Sequence, residues 1–340
     1  MKRSRNNALM FAAAGAGAVL AIRALARKAA GYDMRGRVVL ITGGSRGLGL
    51  VMARELAREG AQLAICARDA EELTRAYEDL NWRTRVLALP CDVTDRAQVE
   101  GLVRAVEDHY GRIDVLINNA GVIQVGPMEV MTLEDYEEAM RIHFWAPLYT
   151  TLAVLPEMRR RREGRIVNIS SIGGKISVPH LLPYSASKFA LVGLSEGLRA
   201  ELAKDGVVVT TVCPGLMRTG SPRNATFKGR HQAEYAWFAI SDALPVTSMK
   251  AERAARQVIA ACKRGDAEVV LTIQAKLAAL FHGVFPGLTA DILGVVNGML
   301  PEAGGIGTAR AKGKESLSDL APSWLTMLSD NAARENNEVN

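Results

Sequence analysis

Cysteine and histidine are both scarce in this chain, and neither is spaced to hold a metal. The 340 residues include four cysteines and five histidines, with no CxxC pair and no metal-ligand spacing. The cysteines lie far apart, at Cys66, Cys91, Cys213 and Cys262. A zinc site and a disulfide framework are therefore not expected, and the cysteines are interpreted as buried free thiols in a reducing compartment.

The folded part of the chain also lacks an excess of positive charge. The net charge of the whole chain is +6. Residues 1–37 hold eight basic residues and one acidic residue, so this stretch carries +7 and the remainder carries −1. The four arginines at 159–162 are interpreted as the positively charged end of a helix. A nucleic-acid partner is not expected, because such partners select a basic surface.

Long uninterrupted apolar runs are missing as well. Residues 8–22 are uncharged, but as a helix they would reach only about 22 Å, short of a hydrocarbon core of ~30 Å. Arg23, Arg27 and Lys28 follow directly, which argues against a signal-peptide cleavage region. Residues 1–33 are interpreted as a retained membrane anchor or interfacial helix of a cytoplasmic protein. The alternative is an Ala- and Gly-rich helix packed on the protein itself.

From residue 37 onward, short apolar runs alternate with longer stretches of helical period. The predicted strands are residues 38–42, 62–66, 85–89, 115–118, 165–170, 207–212 and 268–271. The predicted helices are residues 48–59, 70–80, 96–110, 133–160, 184–204 and 251–263. The strands are continuously apolar, as in a parallel sheet covered on both faces. The predicted fold is α/β, a doubly wound parallel sheet forming one catalytic domain over residues 34–272.

Two segments follow this domain. Residues 277–300 are apolar but broken by Gly283, Pro286, Gly287 and Gly298, too often for one spanning helix. Residues 273–301 are interpreted as a substrate lid or membrane-facing surface, or equally as a helix pair that caps the edge of the sheet. Residues 302–340 are polar and rich in Gly, Ser and Asn, which predicts a mobile tail.

A glycine-rich run links the first predicted strand to the first predicted helix. It reads Thr42-Gly-Gly-Ser-Arg-Gly-Leu-Gly49. Glycine lets the backbone approach a pyrophosphate, and a helix amino terminus offers unpaired N–H groups to it. This context predicts a dinucleotide site.

The choice of dinucleotide depends on the end of the second strand. An acidic residue there would bind the ribose 2′-hydroxyl of NAD and repel a 2′-phosphate. Arg68 lies near that place, and Arg46 lies within the glycine run. Both can pair with a 2′-phosphate, so NADPH is preferred over NADH. Asp69 is predicted to be the N-cap of the next helix.

A hydroxyl, a phenol and an amine follow downstream, at Ser171 and in the run Tyr184-Ser-Ala-Ser-Lys188. The tyrosine and lysine, four residues apart, share one helix face. A free tyrosine has a pKa near 10, too high for a base at neutral pH, and a nearby positive charge favours the phenolate. With the glycine run, these residues predict hydride transfer between a nicotinamide cofactor and a carbonyl or alcohol.

Together these motifs resemble the short-chain dehydrogenase/reductase family over about residues 34–272. The glycine run resembles its TGxxxGxG loop, and the run at 118–121 its NNAG strand end. Asp92-Val93 is similar to its adenine-contacting pair, and Pro214-Gly215 with Thr219 to its motif near the nicotinamide. The spacing of 13 residues to Tyr184 selects Ser171, rather than Ser170, as the family serine.

The resemblance implies an extended Rossmann fold of about seven strands. It also implies a homodimer or homotetramer formed through the helices at 133–160 and 184–204. Tyr184 would exchange a proton with the substrate oxygen, Lys188 would bind the nicotinamide ribose, and Ser171 would orient the carbonyl. The implied cofactor-binding residues are Gly43, Ser45, Arg46, Gly47, Leu48, Gly49, Arg68, Asp92, Val93, Asn119, Ala120, Gly121, Tyr184, Lys188, Pro214, Gly215 and Thr219.

One position departs from the family pattern. His143 stands where the family usually has an asparagine that helps to hold a water linking the lysine to solvent. The imidazole could keep the helix kink and the water, or relay protons itself, so His143 is included among the catalytic candidates. A structural histidine with weakened catalysis is the alternative.

These observations predict an NADP(H)-dependent oxidoreductase that acts on a ketone or secondary alcohol. The two apolar segments suggest membrane contact through residues 8–28 and 277–300, and an apolar small-molecule substrate such as a lipid, steroid or retinoid. Two alternatives are a soluble reductase of polar or 3-ketoacyl substrates, and a non-catalytic module that senses NADP. Intact Ser171, Tyr184 and Lys188 argue against the sensor.

Overall fold

A computed structural model describes residues 31–243, 248–318 and 327–339. Its centre is a sheet of seven parallel strands: β1 (Val38–Thr42), β2 (Gln62–Ala67), β3 (Val86–Pro90), β4 (Val115–Asn118), β5 (Gly164–Ile169), β6 (Val207–Cys213) and β7 (Glu268–Val270). The spatial order is β7-β6-β5-β4-β1-β2-β3. The predicted doubly wound parallel sheet is therefore confirmed. The order reverses beside β1, the position where open α/β sheets bind ligands at the carboxyl ends of their strands.

Eleven helices are present in the described part of the chain. They are α1 (Gly47–Arg58), α2 (Ala70–Asn81), α3 (Arg96–Tyr110), α4 (Leu133–Met140), α5 (Ala146–Arg161), α6 (Leu182–Leu202), α7 (His231–Ala243), α8 (Ala251–Arg264), α9 (Ile273–Val284), α10 (Pro286–Asn297) and α11 (Met327–Glu335). Helices α1, α2 and α8 cover one face of the sheet, and α3, α5 and α6 cover the other. Each face therefore carries its own hydrophobic core, which explains why the strands are apolar throughout.

The start of helix α2 agrees with the prediction from the sequence. The Asp69 side chain accepts a hydrogen bond from Glu72 N at 2.9 Å, which confirms it as the N-cap of α2.

The long helix predicted over residues 133–160 is interrupted, because a π-helical turn at Arg141–Trp145 separates α4 from α5. Such turns widen the backbone ladder and re-aim side chains, and this one contains His143.

Short elements complete the rim of the site. Leu216–Arg218 pairs with Ser248–Lys250, and a second small sheet joins Gln124–Val125, Thr226–Phe227 and Ala311–Lys312. The 3₁₀ turns are Met128–Val130, Ile172–Gly174, Ala203–Asp205, Ser221–Asn224 and Gly313–Glu315. Part of the segment predicted to be a mobile tail thus contributes a strand and helix α11 to the fold.

Helices α9 and α10 form a hairpin with an exposed apolar surface. Its exposed side chains are Ile273, Leu277, Leu280, Phe281, Val284, Phe285, Leu288, Ile292, Val295 and Val296. Within the described ranges, no helix is long and apolar enough to cross a membrane. The apolar run at residues 8–22 lies outside the described residues. The four cysteines are buried free thiols, as predicted.

Candidate active site

A cavity of about 640 Å³ lies at the carboxyl ends of β1 to β6. Every residue predicted from the sequence to bind cofactor or to act in catalysis lines it, except Gly49 and Asp92. Gly49 packs behind the loop, where a Cβ atom would lie 2.0 Å from Gly43 O. The Asp92 carboxylate instead accepts hydrogen bonds from Thr94 N at 2.9 Å and Thr94 Oγ1 at 2.8 Å, and so closes the turn after β3.

The glycine loop after β1 is held against the end of β4. Asn119 Nδ2 donates to Thr42 O at 3.1 Å and to Gly43 O at 3.0 Å. Gly43 has φ +64°, and a Cβ atom there would lie 2.9 Å from Ala120 Cα. Only glycine fits this position, because an L side chain would be strained and would also clash. The loop and the NNAG run therefore form one wall of the cavity.

Tyr184, Ser171 and Lys188 meet on the opposite wall. The Ser171 and Tyr184 hydroxyls share a hydrogen bond, and Ser171 Oγ also accepts from Gly173 N at 3.0 Å. Lys188 Nζ donates to Ile169 O at 2.9 Å and lies 5.6 Å from the centre of the Tyr184 ring. All three side chains face the space beside the glycine loop.

The pKa of Tyr184 is shifted in the opposite direction from the sequence-based expectation. Burial raises the pKa of Tyr184, and the hydrogen bond with Ser171 only partly opposes that rise. Burial also lowers the pKa of Lys188 to about 7. The expectation that the lysine charge brings the tyrosine pKa down is therefore not met in this structure, because desolvation disfavours the charged form of both groups.

His143 is buried in the π-helical turn and is fully hydrogen-bonded to protein. Val122 N donates to its Nε2 at 3.2 Å, and its Nδ1 lies 2.8 Å from Ser187 Oγ. Burial, reinforced by the Lys188 charge, lowers the pKa of His143 well below its usual value. The neutral ring thus accepts at Nε2 and donates at Nδ1 to Ser187, which in turn donates to Tyr184 O at 2.8 Å.

One end of the cavity lies beside β2 and the other beside β6. At the β2 end, Arg68 is exposed, and nothing in the described ranges pairs with its guanidinium. Arg46 Nη1 instead contacts Glu72 Oε1 at 3.0 Å. At the β6 end, Ile172 N donates to Pro214 O at 2.7 Å, which ties this wall to the serine turn. A Cβ atom on Gly215 would lie 2.5 Å from Thr272 Oγ1, so the helix hairpin begins directly beside the site.

Comparisons with known proteins agree with this geometry. Residues 37–228 match the family model described as short chain dehydrogenase. The chain belongs to this family. It is 35% identical over 253 residues to the dehydrogenase/reductase SDR family protein 7-like of Anopheles gambiae, covering 72% of this chain and 78% of that protein.

One further relative and one solved structure are also similar to this short-chain dehydrogenase. It is 40% identical over 185 residues to a Streptomyces violaceoruber protein named as a granaticin polyketide synthase ketoacyl reductase, covering 54% of this chain and 68% of that protein. A short-chain dehydrogenase crystal structure from Streptomyces avermitilis matches with a TM-score of 0.65 and 30% identity, covering 79% and 98% of the two chains. The protein is therefore an oxidoreductase of a family that binds a nicotinamide cofactor and acts on small molecules.

The cavity of this short-chain dehydrogenase fits a dinucleotide. Its volume lies in the range typical of small-molecule binding sites. At several of its glycines, neighbouring atoms lie so close that a side chain would clash with them. A Cβ atom on Gly121, for example, would lie 2.9 Å from His143 Nε2. The glycine loop and the amino terminus of α1 suit the pyrophosphate, and Lys188 and Tyr184 line the same cavity.

Several cavity residues had no signal in the sequence. Glu72, Asn224, Lys312 and Glu338 all line it. Glu72 Oε2 accepts from Ser45 Oγ at 3.3 Å, so a carboxylate from α2 reaches the glycine loop. Glu338 comes from the far end of the chain and lies beside Gly47. These groups come from separate parts of the chain, and only the fold brings them together.

Proposed function

We propose that this short-chain dehydrogenase is an NADP(H)-dependent reductase of a ketone, or oxidase of the matching secondary alcohol, with Tyr184 as the acid–base group. The observation that carries the proposal is the cluster of Ser171, Tyr184 and Lys188 beside the glycine loop. The bound cofactor would supply or accept the hydride. The protein residues bind and orient the substrate and move the proton.

In reduction, the carbonyl carbon gains the hydride and the carbonyl oxygen gains a proton from Tyr184 Oη. The raised pKa of Tyr184 keeps the phenol protonated at neutral pH, which suits the donor role. Ser171 would hold the same oxygen by a hydrogen bond and so orient the carbonyl for attack. In its protonated form Lys188, held by Ile169 O, would stabilise the phenolate left behind.

We propose that His143 is a positioning residue, because both of its ring nitrogens already bind protein groups. His143→Asn is expected to leave kcat within about tenfold of the parent and to keep the pH profile of kcat/KM, since an amide can also accept from Val122 and donate to Ser187. Steady-state kinetics across pH test this. His109→Asn on α3, which lies on the outer surface, is the control. A loss of ~10²-fold or more, or a displaced pH limb, would contradict the positioning role.

The NADP preference rests on Arg68. This guanidinium is available at the β2 end of the cavity, whereas Arg46 is already paired with Glu72. Arg68→Ala is expected to raise the KM for NADPH about tenfold and to leave the KM for NADH within about twofold, since only NADPH carries the 2′-phosphate. Initial rates with both cofactors measure this, with the exposed Arg104→Ala on α3 as control. Equal changes for both cofactors would rule out a phosphate-specific role.

An apolar substrate is proposed from the position of the helix hairpin. Thr272, the N-cap of helix α9, lies beside Gly215 in the cavity wall, and the helix that follows exposes several apolar side chains. A surface of this kind can contact a bilayer or close over an apolar substrate. The similarity to a protein named as a ketoacyl reductase supports the alternative, a 3-ketoacyl substrate.

The experiment that decides between these substrates uses purified protein with NADPH or NADH. The panel runs from small polar ketones and a 3-ketoacyl thioester to steroids and retinal. NADPH-dependent turnover of the apolar carbonyls, lost in Tyr184→Phe, would support the proposal. A preference for the thioester would favour the alternative. Tight NADPH binding without turnover of any compound would return attention to the sensor.

A further inference from the structure

Residues 336–338 lie against the glycine loop, and Glu338 lines the cavity. Gly47 N, at the start of α1, donates to Asn336 O at 2.9 Å. Glu338 Oε1 lies 2.6 Å from the place where a Cβ atom on Gly47 would stand, so only a glycine leaves room for the carboxylate there. A backbone N–H at this position is what a helix amino terminus offers to a phosphate.

The Glu338 carboxylate is held by polar groups from two sides of the cavity. Asn224 Nδ2 donates to its Oε2 at 2.5 Å and to its backbone carbonyl at 3.2 Å. Arg46 Nε, within the glycine loop, lies 3.6 Å from Oε2. Burial raises the pKa of Glu338 to about 7, although Arg46 and Asn224 act to lower it and Glu72 adds to the rise.

The neighbouring residue anchors the tail to the same loop. Asn337 has φ +59°, a left-handed conformation that asparagine tolerates. Its Nδ2 donates to Ser45 O at 2.9 Å and to Glu72 O at 3.0 Å. Its Oδ1 accepts from Arg75 Nε at 2.7 Å. Just before it, Arg54 Nη2 donates to Glu335 O at 3.0 Å.

Helix α11, which precedes residues 336–338, packs beside the loop that follows β6. Ser329 Oγ donates to Asp242 Oδ2 at 3.2 Å, and Arg223 Nη1 lies 3.5 Å from Asp330 Oδ1. A Cβ atom on Gly220 would lie only 2.4 Å from Ala333 Cα, so the helix sits directly on the loop that follows Pro214-Gly215. The segment thus contacts both the glycine loop and the rim beyond Thr219.

We propose that residues 336–338 are an autoinhibitory segment, in which the Glu338 carboxylate takes the anion site of the glycine loop and the dinucleotide must displace it to bind. The proposal rests on the proposed function only in that the glycine loop binds the cofactor phosphates. The docked segment takes the Gly47 amide through Asn336 O and fills the space beside Gly47 with the Glu338 carboxylate, so it and a cofactor phosphate exclude each other. The apparent cofactor affinity is then the intrinsic affinity reduced by the fraction of molecules in which the tail is released.

Equilibrium binding to the full-length chain tests this without turnover. NADPH, NADH and ADP-ribose are titrated into the parent, Glu338→Ala and Asn337→Ala. Both variants are expected to lower the Kd of all three ligands about tenfold or more, which corresponds to a parent tail docked in about 90% of molecules or more. Glu335→Ala removes the same charge from the exposed end of α11 and is expected to change each Kd less than about twofold.

Hydrogen exchange supplies a second readout. Amides of residues 331–339 are expected to exchange faster when NADPH is added, because the tail leaves its site. Unchanged or weaker binding by both variants would overturn the proposal. Slower exchange of these amides with NADPH would overturn it too, because it would show that the tail closes over bound cofactor. If no variant binds any of the three ligands, the cofactor site itself is refuted and the inhibition with it. Tighter binding without turnover would uphold the inhibition and refute only the hydride transfer.

Discussion

Tyr184→Phe is expected to lower kcat by about 10³-fold while the Kd of NADPH stays within about threefold. The substitution removes only the hydroxyl, which shares a hydrogen bond with Ser171 at the catalytic end of the cavity. The ring keeps its edge-on contact with His143, at 5.4 Å between ring centres, so the helix and the cavity are preserved. The lost step is the proton transfer to the substrate oxygen.

Single-turnover reduction and fluorescence titration separate these two effects. The turnover assay uses the best substrate from the ketone panel, and the titration reports cofactor binding alone. Tyr136→Phe on α4 is the control, since that tyrosine is absent from the cavity lining and its phenol is expected to be dispensable. A Tyr184→Phe variant that retains turnover within about tenfold would mean that another group or water delivers the proton.

Asp114→Ala is expected to lower the free energy of unfolding by about 3–5 kcal/mol. Asp114 is fully buried at the start of β4. Its Oδ2 accepts from Val38 N at 2.9 Å, and its Oδ1 accepts from Arg161 Nη1 at 2.9 Å. Removing the carboxylate leaves the buried β1 amide without its acceptor and takes from Arg161 one of its two carboxylate partners, the other being Glu157.

Denaturant unfolding of the protein measures this loss. Asp205→Ala, which breaks the more exposed pair between Asp205 Oδ2 and Arg159 Nε at 2.7 Å, is the control and is expected to cost less than about 1 kcal/mol. Asp114→Asn keeps one acceptor for Val38 N and should fall between the two. A cost near that of the control for Asp114→Ala would show that water replaces the lost acceptor and that Glu157 is a sufficient partner for Arg161.

Much of the fold was predictable because its signals are local. The strand at 38–42 and the helix at 96–110 were predicted with the bounds that the structure has. Continuous apolar runs mark strands buried on both faces, and Asp69 marks a helix start by a contact within three residues. The helix predicted over 133–160 was less well described, because hydrophobic period does not reveal the π-helical turn that interrupts it.

The sequence by itself determined the parallel sheet and the glycine loop, because both depend on local patterns of apolar residues and glycines. It predicted Ser171, Tyr184 and Lys188 as a group through spacings that resemble those of the family. Only the tertiary structure decided in which direction the pKa values of Tyr184 and Lys188 shift, since the desolvation that causes both shifts comes from packing. Contacts between distant residues likewise decided that Arg46 pairs with Glu72 and that Glu338 lies against Gly47. No local pattern encodes a contact between residues almost 300 positions apart, because it exists only after the sheet has formed and the tail has docked on it.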